Sequence, residues 1–288
     1  MSRRTTLFAA MCVIWGIPYL LIRVAVRDLD PAVLVLGRTA IGALLLVPLA
    51  AARGEIRPVL ARWQPLLLFA AVEIAIPWVL LSSAERRLSS SFTGLTIAVV
   101  PLVGAVVTRE RLGAWSIGGL ALGLVGVAAL LGLDIGSLSA LGIVEIAGVV
   151  VGYAVGPIIL SRHLRGLPSL GVIAVSLAGT AIAYLPIAAF AWPASMPPAK
   201  VVLSVVALAV VCTALAFVVF FALIEEIGPV RATVITYVNP AVAAALGVSI
   251  LGEKFTAGMG VGFLLILVGS VLAARRPAPA VAEPPAPS

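Results

Sequence analysis

Trp15-Gly16-Ile17-Pro18-Tyr19-Leu20-Leu21-Ile22-Arg23 closes the first apolar run of this 288-residue chain, and it returns in altered form. Shifted by 139 residues, Pro18 falls on Pro157 and Arg23 on Arg162, and the same shift carries Pro101 onto Pro240. After a slip of four residues the shift becomes 143. Glu110-Arg111 then falls on Glu253-Lys254, Gly119 on Gly262 and Gly126 on Gly269. Two near-identical registers align helix-breaking prolines, an acid-base pair and two glycines. The chain reads as one unit of about 135 residues used twice.

Composition names the solvent. Hydrophobic residues make up 62% of the chain, charged residues only 11%, and the mean hydropathy is +1.21. A soluble domain carries about 25% charged residues. That much apolar surface has no water-soluble core to fill at this length, so the bilayer takes most of it. The net charge of +7 would suggest nucleic acid in a soluble protein. Here Lys and Arg sit mostly in short loops between apolar runs, with no basic stripe carrying aromatics, and the charge reads as membrane orientation.

Ten segments are long enough to cross as helices: 5–26, 31–52, 64–84, 90–108, 114–132, 140–161, 170–192, 201–224, 229–251 and 258–274. The expected fold class is an all-α integral membrane protein, with ten helices in two inverted five-helix repeats. The expected units are residues 1–135, residues 136–276 and a disordered, Pro- and Ala-rich cytoplasmic tail at 277–288. The first run lacks a small-x-small cleavage site and reads as an uncleaved span. With the N-terminus in the cytoplasm, the inner loops hold eleven Lys and Arg and the outer loops six, namely Arg23, Arg27, Arg86, Arg87, Lys200 and Lys254. That bias places both termini inside. Five passes per copy is an odd number, so the second copy enters upside down, the arrangement of transporters with a midplane site between halves.

Some residues are too expensive to be incidental. Arg38 lies about seven residues into the second span, and a charge at helix centre costs about 2.5–3.5 kcal/mol on insertion scales. It either snorkels outward or faces a wet cavity, where it could hold a carboxylate. Glu73, mid-way along the third span, is its natural partner; it could also bind a substrate ammonium or carry a proton, and a purely structural ion pair is an equal reading. Glu145 lies near a span end and reads as interfacial. Pro18, Pro77, Pro101, Pro157 and Pro240 fall inside spans and free backbone carbonyls. Each alone reads as a static kink. The pairs Pro18/Pro157 and Pro101/Pro240 suit matched hinges.

Trp15, Tyr19, Trp78, Tyr153 and Tyr237 lie deep, and bundle packing is the default for each. Taken with Arg38, Glu73, Ser82, Thr93 and Asn239 they would form an apolar cavity with a few polar anchors. Gly148, Gly152 and Gly156 mark one tightly packed face of the sixth span, and Gly119/Gly123 and Gly258/Gly262 mark faces of the fifth and tenth. Trp63, Trp115 and Trp192 read as interface residues. Cys12 and Cys212 read as small buried hydrophobes, and His163 as a solvated loop residue. No phosphate loop, metal motif, nucleophile elbow or potassium-filter sequence is present, so the chain shows no catalytic site, no cofactor, no metal and no ATP-driven step.

These residues resemble the EamA-type members of the drug/metabolite transporter superfamily. The likeness rests on Trp15-Gly16-x-x-Tyr19-x-x-x-Arg23, on Arg38 after Pro31, and on the ending of each half. That ending is a mid-span proline (Pro101, Pro240), an acid-base pair (Glu110-Arg111, Glu253-Lys254) and spaced glycines (Gly119/Gly126, Gly262/Gly269). It covers residues 5 to 274. The resemblance implies two inverted five-helix repeats in a bacterial inner membrane and export of small metabolites. Within the family the chain is most similar to exporters of amino acids, neutral, aromatic or broad. The implied partners are a small-molecule substrate and the bilayer, with no nucleic acid; a monomer is compatible with this. The chain departs from symmetry in one spacing: Pro101 to Glu110 is four residues shorter than Pro240 to Glu253. Cys212 stands where the 139 shift places the counterpart of Glu73. Alternative readings are an exporter of drugs or other metabolites, a non-transporting assembly protein or membrane-embedded enzyme, and an ion channel.

Overall fold

The structure, a computed structural model, describes residues 2–107, 114–132, 139–227 and 235–273, with side chains except at 105, 114, 116, 130–132, 237 and 273. Glu110, Arg109, Arg111, Arg231, the 133–138 linker and the 277–288 tail lie outside the described residues, as does the Tyr237 side chain.

Ten helical passages follow in order. The first is α1 (Arg3–Ile14) and α2 (Pro18–Ala25), and the second is α3 (Pro31–Ala52). A short α4 (Ile56–Leu60) leads to the third, which is α5 (Trp63–Phe69), a π-helical segment (Ala70–Ala75) and α6 (Ile76–Ala84). The fourth is α7 (Ser90–Ile97) with α8 (Val100–Val107), the fifth α9 (Ala114–Gly132), the sixth α10 (Ala140–His163) and the seventh α11 (Ser169–Phe190). The eighth is α12 (Ala199–Ala209), a second π-helical segment (Val210–Leu215) and α13 (Ala216–Ile227). The ninth is α14 (Ile235–Leu251) and the tenth α15 (Ala257–Ala273). Among the described residues, six passages are long and apolar enough to cross a membrane, and the other four are shorter apolar helices.

Helix ends follow local chemistry. Asp30 accepts from the Ala32 amide at 2.9 Å and Pro31 fills the first turn of α3, where no N–H is needed. Ser89 caps α7 and Ser139 caps α10 through the amides of Phe92 and Gly142. The prolines act unequally. Pro18 starts α2 after a break at 15–17, and Pro101 sits in the first turn of α8 after a break at 98–99. Pro157 and Pro240 lie inside unbroken helices. The expected matched bends are therefore not matched in helix geometry: only the first-half member of each pair interrupts its passage. The symmetry reappears in the two π segments, offset by 140 residues, although only the first is followed by a proline, Pro77.

Packing repeats the duplication. The second passage packs on the seventh, the fifth on the tenth and the fourth on the ninth, so each of these helices meets its own counterpart. Two further sets of contacts swap in pairs: first with eighth as sixth with third, and fourth with sixth as ninth with first. Such a pattern is that of two copies around a pseudo-two-fold axis, and with five passes each the copies are inverted. Glycines close the seams. A Cβ on Gly269 would lie 2.6 Å from the Gly119 carbonyl oxygen, and one on Gly126 2.8 Å from that of Gly262. Gly148, Gly152 and Gly156 form one face of α10 against Leu80, Pro77 and Glu73 of the third passage.

Candidate functional site

Arg38 is buried at the seam between the halves, 8% exposed. Its helix, α3, packs on α11 and α12 of the second copy. Snorkelling is thereby excluded for this side chain. Its Nε donates to Thr213 Oγ1 at 2.9 Å, and its Cζ lies 3.6 Å from the centroid of the Trp78 ring. Thr213 belongs to the second π segment; Trp78 follows the first by three residues. In a π turn the carbonyl pattern shifts by one residue, and Thr213 Oγ1 itself donates to the Leu208 carbonyl five residues back, at 2.8 Å. The cation is thus suspended between the two irregular helical turns of the molecule.

The stacking on Trp78 is worth about 2 kcal/mol where water is excluded. It holds the guanidinium plane but consumes no N–H. Five N–H donors minus the one given to Thr213 leave four. Among the described residues, those on the two terminal nitrogens donate to no protein acceptor. Tyr153, Cys212 and Tyr19 are the titratable side chains within electrostatic reach of the charge.

Glu73 does not pair with Arg38. It lies in the first π segment, and its Oε2 is buried with no hydrogen-bond partner among the described residues. The carboxylate rests on Gly156 of α10, where a Cβ would collide with Oε2. The expected Arg38–Glu73 ion pair is replaced by a spaced arrangement, with Tyr153 within electrostatic reach of both charges. The physical reason is local: Thr213 and Trp78 already hold the guanidinium, and the glycine face of α10 gives the carboxylate room elsewhere. The Tyr184 hydroxyl donates to the Ala75 carbonyl at 2.9 Å, tying α11 to the end of the first π segment.

The other predicted residues separate into groups. Ser82 donates to the Trp78 carbonyl at 2.7 Å, one turn along α6. Thr93 is fully buried on α7, its Oγ1 unpartnered among the described residues, and the Tyr19 ring packs near the adjoining Gly94. Trp15 is displaced from Arg38: its ring packs on Phe217 and Phe220 at 5.9 and 4.7 Å, in a cluster with Met11 and Leu223. Asn239 is also structural. With its amide oriented to donate, it reaches the carbonyls of Ile235 and Cys12 at 3.0 and 3.1 Å, tying α14 to α1. Trp15 and Asn239 therefore support the broken first passage rather than the Arg38 group. Thr213 and Tyr184 escaped the sequence reading, and Gly156 was read there only as a packing residue. The signal that could have found Thr213 was its place beside Cys212, the counterpart of Glu73. A groove of about 400 Å³ between α7, α14 and α15 is apolar, lined by Leu95, Ala244 and Phe263 among others, and holds none of the expected anchors.

Comparison with known proteins assigns the fold to a family. The model of the EamA-like transporter family matches residues 5–132 and again 140–275. The chain belongs to the EamA-like transporter family. The double match coincides with the two copies read from the prolines and glycines. The chain is similar to the uncharacterized transporter YvbV of Bacillus subtilis strain 168, with 25% identity over 280 residues, 94% of this chain and 91% of the relative. It is also similar to the uncharacterized inner membrane transporter YedA of Escherichia coli K12, with 26% identity over 254 residues, 86% and 82% of the two chains. A solved crystal structure shares the fold at a TM-score of 0.67, with 22% identity and coverage of 95% of this chain and 97% of that one. This EamA-like protein is a multi-pass membrane transporter, and Arg38 is a buried cation at the seam of its two copies.

Proposed function

We propose that this EamA-like transporter exports amino acids from the cytoplasm by alternating access, with Arg38 binding the substrate carboxylate and Glu73 its ammonium group. One observation carries the reading: among the described residues, a buried guanidinium with four N–H donors unspent and a buried carboxylate with one oxygen unpartnered both lie within electrostatic reach of Tyr153. Such a pair matches the two charges common to every amino acid. A bidentate carboxylate is the natural guest of the guanidinium fork. Trp78, Tyr19 and Tyr153 supply walls for neutral and aromatic side chains.

In this proposal residues 1–135 and 136–276 are the two moving bodies, residues 277–288 form a cytoplasmic tail, and both termini lie inside an inner membrane. Pro18, Pro77 and Pro101 belong to interrupted passages, and these interruptions give the first body its joints. Pro157 and Pro240 soften unbroken helices in the second by removing one backbone bond each.

The test is counterflow in proteoliposomes loaded in turn with each amino acid. Saturable exchange of labelled neutral or aromatic amino acids, lost for decarboxylated analogues, is the expected result. Exchange of drugs or other metabolites with no amino-acid exchange would replace the substrate class. The absence of any exchange would remove the reading.

A further inference from the structure

At the other end of the third passage lies a second carboxylate that the amino-acid site does not use. Glu85 follows α6 in the turn before α7 and is fully buried. Both its carboxylate oxygens lack a hydrogen-bond partner among the described residues. Arg23 of α2 reaches it, but spends a donor on the Glu85 backbone carbonyl rather than on the carboxylate.

Its neighbours are treated differently. Glu145 accepts from Ser83 at 2.7 Å and from Arg87 at 3.0 Å. Glu253 accepts from the Ser90 and Ser91 amides at 2.8 Å and from the Ser91 hydroxyl at 2.6 Å. Asp30 caps α3 and pairs with Arg86 at 3.5 Å. Each of these three has donors for its carboxylate oxygens. A buried carboxylate without donors is costly as an anion and sheds that cost by taking a proton. The ionisable groups facing Glu85 are Arg23 and Tyr19 from α2 and Glu253 from the turn before α15. Burial outweighs the opposing pull of Arg23 and, with the Glu253 charge, holds the Glu85 carboxyl well above the usual carboxylate range.

Tyr19 links this carboxyl to the substrate site, being within electrostatic reach of both Glu85 and Arg38. We propose that Glu85 is a proton-binding site coupled to the Arg38 site through Tyr19, so that one proton enters as one substrate leaves. Binding converts the carboxylate to the neutral acid that the closed pocket accepts. Release follows when the turn at 85–89 opens and Arg23 or water meets the anion. No bond other than O–H forms or breaks. This inference rests on the export reading for its coupling, but the proton site itself does not.

Two measurements test it. In proteoliposomes with an acidic lumen, one pH unit should drive about tenfold accumulation of labelled L-phenylalanine by the wild type, the ratio that one proton per substrate supports. Glu85→Gln should accumulate none and show counterflow that is flat with pH. Accumulation by Glu85→Gln equal to wild type, or accumulation driven by a sodium gradient alone, would overturn the proposal. The infrared carbonyl band of a protonated carboxyl, recorded at pH 7 without substrate, judges the site separately. The band should weaken in Glu85→Gln; an unchanged band would overturn the proposal even if phenylalanine exchange were intact. Failure of phenylalanine exchange with a band that Glu85→Gln removes would instead fault only the substrate reading.

Discussion

At the scale of single residues, the account turns on which charges are satisfied. Among the described residues Thr213 is the one acceptor of Arg38, and Thr213→Val would leave a buried charged donor unpaired, at about 1–3 kcal/mol. We expect a lower melting temperature in detergent than for Thr213→Ser, which keeps the hydroxyl; equal values would contradict the role given to the hydroxyl. Glu253 and Glu85 should mark opposite limbs of the stability profile. For Glu253, burial raises the pKa, but hydrogen bonds from Ser91 and Ser90 overcome it and leave the carboxyl below its ordinary value. Its stabilising contribution is complete above the ordinary carboxylate range and is lost as pH falls through the depressed value. The raised carboxyl of Glu85 contributes below that range and loses its contribution as pH rises through the elevated value. Thermal melts across pH should therefore lose their acid-side slope in Glu253→Gln and flatten on the alkaline side in Glu85→Gln. The reverse assignment would contradict both environments. Arg38 was legible from the sequence because a cation seven residues into an apolar span has few explanations. Its partner was not, because a threonine in a hydrophobic run carries no signal until the second copy is folded against the first. Glu85 hid for another reason: beside Arg86 and Arg87 it reads as part of a solvated turn.

At the scale of elements, the irregular turns carry the most information. The two π segments, Ala70–Ala75 and Val210–Leu215, each hold one extra residue in a helical ladder, and they present Glu73 and Thr213 to the seam. Deleting Ala71 or Val211 should restore an α-helical register and rotate the residues on one side by about 100°. We predict normal helix content by circular dichroism with loss of exchange; wild-type exchange would show the π turns to be dispensable. Prolines are the visible half of this pattern. The break before Pro18 and the one before Pro101 were readable because proline lacks an N–H and crowds the preceding turn. Pro157 and Pro240 sit inside unbroken helices, and no local rule separates the two outcomes. The second π segment has no proline after it and left no mark in the sequence beyond its register with the first.

At the scale of the whole molecule, duplication sets the architecture. Each copy presents the same apolar faces, and the closest contacts join a helix to its own counterpart, as with α9 and α15. Gly269→Ala would press a Cβ into the backbone of Gly119 and Gly123, and overpacking of this kind costs about 1–3 kcal/mol. A fall in melting temperature is expected, whereas Gly118→Ala, with open space at that position, should be neutral. Ten spans and the two registers were readable because lipid imposes long apolar runs and because paired glycines and prolines survive in both copies. The way the halves join at Arg38 was not readable, since it depends on which faces meet across the seam. The most direct measurement of the central claim is saturable amino-acid counterflow by Arg38→Ala beside wild type in the same liposomes. The account predicts at least about a tenfold loss of exchange, equivalent to one lost interaction of about 1.4 kcal/mol or more, in a protein that still inserts with wild-type helix content. Exchange at the wild-type rate would contradict it.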